Sequence, residues 1–440
     1  MDTDKPGVIK RLRRLLPEAV NGDLSRLSAL AHENKVALYL VGGSVRDILL
    51  GRKSFDLDCV VEGDAVRFSR YAATIVGADA VLHRRFGTAT LYFRHGEAET
   101  DSRIDLAGAR KEHYASPAEL PEVSSATLKE DLSRRDFTIN AMAISLNRSD
   151  YGRLIDYFGG RKDLEKGVVR VLHDKSFIDD PTRIFRAVRF EQRFGFKIEK
   201  STEALIRTAA GKGIFDEVSG ERLRHEIEKL LGEGTPVGSI ERMRELHELK
   251  FINPAIDFTG RERTLCRRIK RVLDKTGHVL GKDGINKWLV YFMAVIDTLS
   301  LEDAIDACGR LAFKRGERLK VVSLKRWGDF ALRTLREKGD LRASEVFKGL
   351  RRLPDEAIIF LVAKASGERS LQRAKAFMTK YRKASLDIAG EDLLRLGIKP
   401  GPRFRKIMEE TLLAKVDGKL KNRDEEIEYA RRLTEEGWGP

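Results

Sequence analysis

Cysteine is scarce in this chain: three in 440 residues, Cys59, Cys266 and Cys308, far apart and odd in number. With no C-x-x-C pair and no cysteine–histidine cluster, neither a disulfide framework nor a structural zinc site is supported. Cys59 falls among strand-like residues and reads as a small buried hydrophobe. Long apolar runs are missing too. The longest, residues 288–296, is too short to span a bilayer, and the opening MDTDKPGVIK lacks the apolar core of a signal peptide. These absences predict a soluble, cytoplasmic protein with no membrane partner. No repeat of fixed period and no low-complexity tract interrupts the chain.

What the chain has in excess is positive charge. Lys and Arg number 83 against 68 Asp and Glu, for a net charge of +15. Clustered cations neutralise phosphates and release counterions, so a polyanionic partner is favoured once a phosphate-handling site accompanies them. The hydrophobic fraction of 42% is that of a globular protein, and the length allows several domains.

Residues 39–61, YLVGGSVRDILLGRKSFDLDCVV, concentrate the chemistry. Asp56 and Asp58 stand in an apolar, β-branched run with Phe55, Leu57, Val60 and Val61, the pattern of a strand. Side chains at i and i+2 of a strand share a face, so the two carboxylates project together. Such a pair suits Mg²⁺, which takes oxygen ligands and fills its remaining positions with water and substrate phosphates. Upstream, Gly42 and Gly43 follow an apolar strand at 38–41 and precede a helical run at 45–50. Glycines at that turn let backbone N–H groups approach a phosphate at the positive helix end. A D-x-D pair alone is commonly two solvated acids. Preceded by this strand–glycine–helix unit, it points to nucleotidyl transfer.

Residues 1–35 read as helices, with basic KRLRR at 10–14. Strands are expected at 37–41, 56–61, 88–93 and 102–106. Residues 108–125, with Pro117 and Pro121, read as a loop able to move, and 128–145 as a resumed helical pattern. The segment 154–172 holds turn glycines and then an extended run. Beyond residue 176 nearly everything to 385 has helical spacing, and Gly401-Pro402 marks a turn between two helices near the end.

Three further features extend the site. Asp105 sits in the third strand-like run, RIDLAGAR, where it completes a metal site, positions an attacking hydroxyl, or simply faces water at an edge. The segment DLSRRDFTINAMAI opens with Asp131 and packs Arg134, Arg135 and Asp136 beside an apolar helix, with Asn140 on the face of Asp136. Its arginines could clamp triphosphate oxygens in pairs, and Asp136 or Asn140 could hold ribose hydroxyls; a charged helix start is the plain alternative. In DDPTRIFRAVRFEQRFGF, Asp180, Arg183, Arg186 and Arg189 recur at threefold spacing, one polar stripe if the segment is a single helix. An Asp–Arg pair is commonly a surface salt bridge. It also has a chemical use: cytosine and adenine both present an amino donor beside a ring-nitrogen acceptor, which a carboxylate and a guanidinium complement. Guanine and uracil would be repelled.

Residues 39–61, 131–144, 154–165 and 179–196, in this order, resemble the motifs of bacterial class II tRNA nucleotidyltransferases, of the tRNA nucleotidyltransferase/poly(A) polymerase family. The resemblance is strong over roughly residues 30–235, including GERLRHEIEKLL at 220–231, and weaker near LRLGIKPGPRFRKIM. It implies an α+β protein: a small nucleotidyltransferase α/β head with a mixed sheet, then an all-helical neck, body and tail that hold the acceptor stem and T arm of tRNA. The corresponding boundaries are a helical extension at 1–35, head at 36–150, neck at 151–235, body at 236–385 and tail at 386–440. It further implies that Asp180 and Arg183 select the incoming base, with Asp179 orienting them; the family usually has Glu-Asp where this chain has Asp179-Asp180.

The expected reaction is template-independent transfer of CMP or AMP from CTP or ATP to the tRNA 3′ end. Asp56 and Asp58 would hold two Mg²⁺ and Asp105 would assist at the hydroxyl. Gly42, Gly43, Ser44 and Arg46 would hold the triphosphate, and Asp131, Arg134, Arg135, Asp136, Asn140 and Arg186 would complete the nucleotide site. Alternatives are a poly(A) polymerase extending general RNA 3′ ends, or a tRNA enzyme restricted to CC or to A. HRRFGTATLYF at 83–93 is nearer to the tRNA enzymes, and the loop GARKEHYASPAELPEVSSATLKE resembles A-adding and split-activity enzymes. No His-Asp phosphohydrolase motif stands in the helical body.

Overall fold

Alternating apolar residues in the first half of the chain assemble into a mixed sheet with one buried face and a second face that is open around Asp56 and Asp58 and covered toward β8. A computed structural model describes residues 5–53, 56–95, 101–113, 119, 121–234, 236–246, 249–276 and 284–435. Helices α1 (Lys5–Leu15) and α2 (Glu18–Glu33) lead into β1 (Ala37–Val41), α3 (Gly43–Leu49), β2 (Asp56–Glu62) and α4 (Ala65–Val76). There follow β3 (Asp79–His83), β4 (Thr88–Phe93), β5 (Ser102–Gly108), β6 (Arg110–His113) and β7 (Glu122–Ser125), then α5 (Leu128–Ser133), β8 (Met142–Ser145) and β9 (Leu154–Asp156). Seven strands pair in the order β3-β4-β5-β2-β1-β8-β9. Within this sheet β2 and β5 run parallel and the other neighbouring pairs antiparallel.

Period-two alternation sets the two faces. Leu38, Leu40, Leu57, Cys59, Ala89, Leu91, Ile104 and Leu106 are buried, and α4 packs against β2, β3, β4 and β5 with Phe68 and Ala72 buried. Cys59 is the small buried hydrophobe expected, and all three cysteines are buried and free. Asp56 and Asp58 take the opposite face.

Three stretches depart from the sequence reading, the first being β3, which is not among the expected strands. Residues 108–125 are not a loop throughout, because β6 and β7 pair antiparallel into a ribbon. Its polar residues carry no hydrophobic alternation to betray it; Pro117 and residues 114–118 and 120 lie outside the described residues, as does Phe55. Residues 128–145 are not one helix either. α5 ends at Ser133, a single 3₁₀ turn spans Thr138–Asn140, and Met142–Ser145 becomes β8. Burial decides this: all four β8 residues are buried, and a wholly buried run has no period to read.

The first unit, Met1–Val218, continues through α6 (Gly160–Lys166), β10 (Val168–Val169), α7 (Ser176–Asp179), α8 (Arg183–Phe194), β11 (Lys197–Ile198) and α9 (Lys200–Gly211). β10 and β11 form a small parallel pair. The second unit, Ser219–Pro440, is helical among its described residues, from α10 (Gly220–Leu231) to α21 (Arg423–Glu435). The longest apolar run of the sequence forms a central helix there, Lys287–Val295, buried from Trp288 to Val295. A helix apolar on all sides belongs inside a bundle. The half-buried Lys325 ammonium donates to the carbonyls of Ile296, Asp297 and Leu299 at its end. Among the described residues no helix is long and apolar enough to cross a membrane.

The turn DYFGGR shows how tightly the first unit is assembled. The Asp156 carboxylate accepts from the backbone N–H groups of Phe158, Gly160 and Arg161. A Cβ on Gly160 would lie 2.1 Å from the Thr138 carbonyl oxygen and 2.9 Å from Met142 Cγ. Gly160→Ala is therefore expected to destabilise the first unit by about 1–3 kcal/mol, read as a lowered melting temperature.

Candidate active site

Strand register assembles the acids. β2 and β5 pair Asp58 with Asp105 and Asp56 with Arg103, which puts all three expected carboxylates on the open face. Asp105 is held in place: Thr90 Oγ1 donates to its Oδ1 at 2.6 Å and Arg103 Nη2 to its Oδ2 at 2.7 Å. Ser44 braces the acid strand, its hydroxyl donating to the Asp56 carbonyl at 2.8 Å and accepting from the Asp58 N–H at 3.2 Å. Burial, then the charges of Asp105 and Asp56, push the Asp58 carboxyl above its ordinary value against the pull of Arg135.

Gly42 turns the chain from β1 into α3 with φ of 71°, and its N–H donates to the Met142 carbonyl at 3.2 Å. A side chain there would strike a guanidinium, since a Cβ would lie 2.7 Å from Arg135 Nη1. Arg135 thus lies against the glycine turn while its Nη2 donates to Asp131 Oδ2 at 2.9 Å. Its buried Nε has no hydrogen-bond partner. Arg134 forks elsewhere, to Asp131 at 2.7 Å, to Glu112 of β6 at 2.7 Å and to the Arg110 carbonyl. Burial alone would raise the Asp131 carboxyl; Arg135 and Arg134 hold it below its ordinary value.

A second buried chain of polar groups runs behind the turn. Arg46 Nη1 donates to Asn140 Oδ1 at 2.7 Å, and Asn140 Nδ2 donates to Asp136 Oδ1 at 2.9 Å. Arg186 donates to Asp136 Oδ2 through Nε at 2.8 Å and Nη2 at 2.7 Å. Burial opposes the charge on Asp136, but Arg186, Asn140 and Arg183 keep its carboxyl below the ordinary range. Arg46 is 6% exposed, and its guanidinium lies over the rings of Phe190 at 5.2 Å and Phe194 at 4.7 Å.

The single polar stripe expected over Asp180, Arg183, Arg186 and Arg189 does not form, because α8 begins only at Arg183 and Asp180 lies in extended backbone before it. Asp180 Oδ1 accepts from Thr182 N–H at 3.1 Å and Thr182 Oγ1 at 2.6 Å. Arg183 is 5% exposed and points inward, donating to the Arg134 carbonyl and to Ser176 Oγ, both at 2.8 Å. Asp179 ends α7, with His173 Nδ1 at 3.9 Å.

The site therefore divides. The open sheet face holds Asp56, Asp58 and Asp105; Gly42, Arg135 and Asp131 adjoin it; Ser44, Arg46, Asp136, Asn140 and Arg183 are buried, with Arg186 partly exposed beside Asp136. Thr90, Arg103, Glu112, Ser176, Phe190 and Phe194 were not singled out from the sequence. The alternation in TATLYF and RID carried a signal for Thr90 and Arg103, whereas Glu112 and Ser176 act only through distant chain. Among the described residues no set of three or more His, Cys, Asp or Glu is arranged to hold an ion. Asp56 and Asp58 offer a two-carboxylate pair, and the neighbouring negative charge that adds to burial in raising Asp58 is what a hydrated Mg²⁺ would neutralise.

A carboxyl raised in the folded state opposes folding when ionised, and this penalty fades as pH falls through its pKa. Asp58→Asn should therefore raise the melting temperature of the metal-free protein by a few degrees at most at pH 7. The difference should narrow on acidification, since wild-type Asp58 then carries a proton itself.

The family model described as the poly A polymerase head domain matches residues 38–170, and one described as a probable RNA and SrmB-binding site of polymerase A matches residues 195–259. The chain is 37% identical over 432 residues to an A-adding tRNA nucleotidyltransferase of Geobacter sulfurreducens, covering 97% of this chain and 48% of that protein. It is 33% identical to an A-adding tRNA nucleotidyltransferase of Halalkalibacterium halodurans, covering 93% of this chain and 92% of that one. It thus spans about half of the first relative and nearly all of the second. A solved structure of the Thermotoga maritima CCA-adding enzyme complexed with tRNA superposes with a TM-score of 0.76 at 34% identity, covering 97% of this chain and 98% of that one. Motif order, site geometry and near full-length similarity agree: the chain belongs to the bacterial tRNA nucleotidyltransferases of the tRNA nucleotidyltransferase/poly(A) polymerase family.

Proposed function

We propose that the protein is a cytoplasmic enzyme that adds nucleotides to the 3′ end of tRNA without a template, with terminal AMP addition as its defining step. The observation that carries this reading is the carboxylate pair Asp56/Asp58 across from Asp105, beside a glycine turn lined by a guanidinium with an unpartnered N–H. The A-adding names of two relatives support the choice of AMP.

In the proposed reaction the RNA 3′-hydroxyl attacks the α-phosphate of ATP, or of CTP where C is also added, and pyrophosphate leaves. Asp105, fixed by Thr90 and Arg103, orients the hydroxyl and draws its proton. Arg135 and the Gly42–Gly43 turn hold triphosphate oxygens, the spare Arg135 Nε gaining an anionic acceptor there. Mg²⁺ bound to Asp56 and Asp58 would neutralise charge developing on the phosphoryl oxygens. Little covalent chemistry is asked of the side chains, so positioning and charge neutralisation dominate.

Base choice falls to Asp180 and Arg183. A guanidinium carries five N–H donors, so Arg183 can keep its bonds to Ser176 and the Arg134 carbonyl and still donate to a ring nitrogen. The Asp180 carboxylate accepts from the exocyclic amino group, with Asp179 as its neighbour in the turn. Arg186, Asp136 and Asn140 fix the surroundings of this pair. The neck, body and tail, carrying the positive charge, serve as the platform for acceptor stem and T arm.

The test is extension of three tRNA transcripts, ending at the discriminator base, at one C and at CC, each with CTP, ATP, GTP or UTP singly. AMP addition to the CC end is the expected outcome. CCA on the shortest transcript would make it a complete CCA-adding enzyme, and a long A ladder on unrelated RNA would replace the proposal with poly(A) synthesis. Asp56→Ala or Asp58→Ala should abolish addition while tRNA binding survives; retention of more than a few per cent of activity refutes the metal assignment. Arg183→Ala should relax discrimination against GTP and UTP, measured as the ratio of kcat/KM values.

A further inference from the structure

The open face of the sheet does not end at the acids. Strand register carries it outward in two rows. The first runs Asp58, Asp105, Thr90, Val81; the second runs Asp56, Arg103, Tyr92, Asp79. Residues directly opposite on paired strands share a face, and the bond from Thr90 to Asp105 shows that β4 and β5 present these rows together. Behind them Ala89, Leu91, Phe93, Ile104 and Leu106 fill the core. In front, Val81 is 46% and Tyr92 41% exposed, and the Arg103 side chain is half exposed although bonded to Asp105.

Tyr92 and Val81 stand diagonal to each other on this face, one strand from Arg103 and Thr90. Here they form a strip that begins at the carboxylates and ends at the edge strand β3. Tyr92 stands two strand spacings from Asp56, about 10 Å, the length of about three steps of a stacked strand at 3.4 Å each. The strip joins a flat aromatic surface to a cation, the pairing by which proteins hold unpaired nucleotides, since every base has a π-face and every linkage a phosphate. A protein partner would be expected to need a broader apolar patch than Tyr92 and Val81 supply.

We propose that this face, from Asp105 across β5 and β4 to β3, holds the last unpaired nucleotides of the acceptor RNA, with Tyr92 stacking on a base and Arg103 meeting a phosphate. Tyr92 is a positioning residue: it aligns the strand so that its terminal hydroxyl reaches Asp105, and touches no reacting atom. This rests on the reading that the acids transfer a nucleotidyl group to an RNA end.

The test uses the full-length protein and an acceptor-stem minihelix ending in CC, with 2-aminopurine at the base before CC. Direct titration gives RNA affinity and fluorescence quenching; steady-state AMP addition gives KM for RNA and for ATP separately. Tyr92→Ala is expected to weaken RNA affinity and raise the RNA KM about tenfold, to reduce quenching, and to leave the ATP KM within twofold. Tyr92→Phe keeps the ring and should match wild type. Val81→Glu, at an exposed edge position, should raise the RNA KM by charge repulsion. Unchanged RNA affinity and quenching in both Tyr92→Ala and Val81→Glu would overturn the proposal, as would Tyr92→Phe behaving like Tyr92→Ala. If wild type transfers no nucleotide, the transfer reading fails by itself, and the RNA affinities still decide whether this face binds RNA.

Discussion

Parallel pairing of β2 with β5 sets Asp58 directly across from Asp105, and much of the first unit answers to the charge this brings together. Burial first, then repulsion from Asp105 on the adjacent strand and from Asp56 two residues away, pushes Asp58 toward its neutral form. Neighbours on three sides relieve the crowding. Arg103 and Thr90 bond to Asp105, Ser44 fixes the backbone of the acid strand, and Arg135 lies between the glycine turn and Asp131. The remaining negative charge faces outward. A cation is its natural complement.

Support for this face comes from carboxylates that never reach solvent. Asp131 and Asp136 are both buried, and each holds arginines through charge-assisted bonds. Taking a carboxylate out of water costs several kcal/mol unless its lone pairs are matched. Asp131 is matched by Arg134 and Arg135; Asp136 by Arg186, Asn140 and the Phe137 N–H. Such networks define positions more than they add stability, because a displaced partner leaves an unpaired buried charge. Arg183 extends this framework by bonding to the Arg134 carbonyl, which links the start of α8 to the segment that borders the glycine turn. Glu112 ties the ribbon of β6 and β7 to Arg134 in the same way.

Much of the head was legible because its signals are local. The strands at 37–41 and 88–93 stand where the alternation places them, and the acids at 56 and 58 share a face because a strand has period two. The glycine turn was legible for the same reason: positive φ and the absence of a side chain are properties of the residue itself. Where burial is complete or pairing is distant, the signal fades. β8 is buried throughout and reads as helical in sequence; the ribbon of β6 and β7 is polar but for Val123 and reads as loop.

The sequence by itself determined the family motifs and the fold class that holds them, since motif order, spacing and alternation are written along the chain. Tertiary structure alone decided which of those residues are exposed and which are buried. Spacing does not show that the Arg46 and Arg183 guanidinia lie in the interior, bonded to Asn140 and to Ser176 and the Arg134 carbonyl. Tyr92 looks like one more strand residue, yet register brings it into line with Arg103 and Asp56. Spacing along a chain tells which side chains share an element; only the pairing of elements distant in sequence tells what each side chain meets.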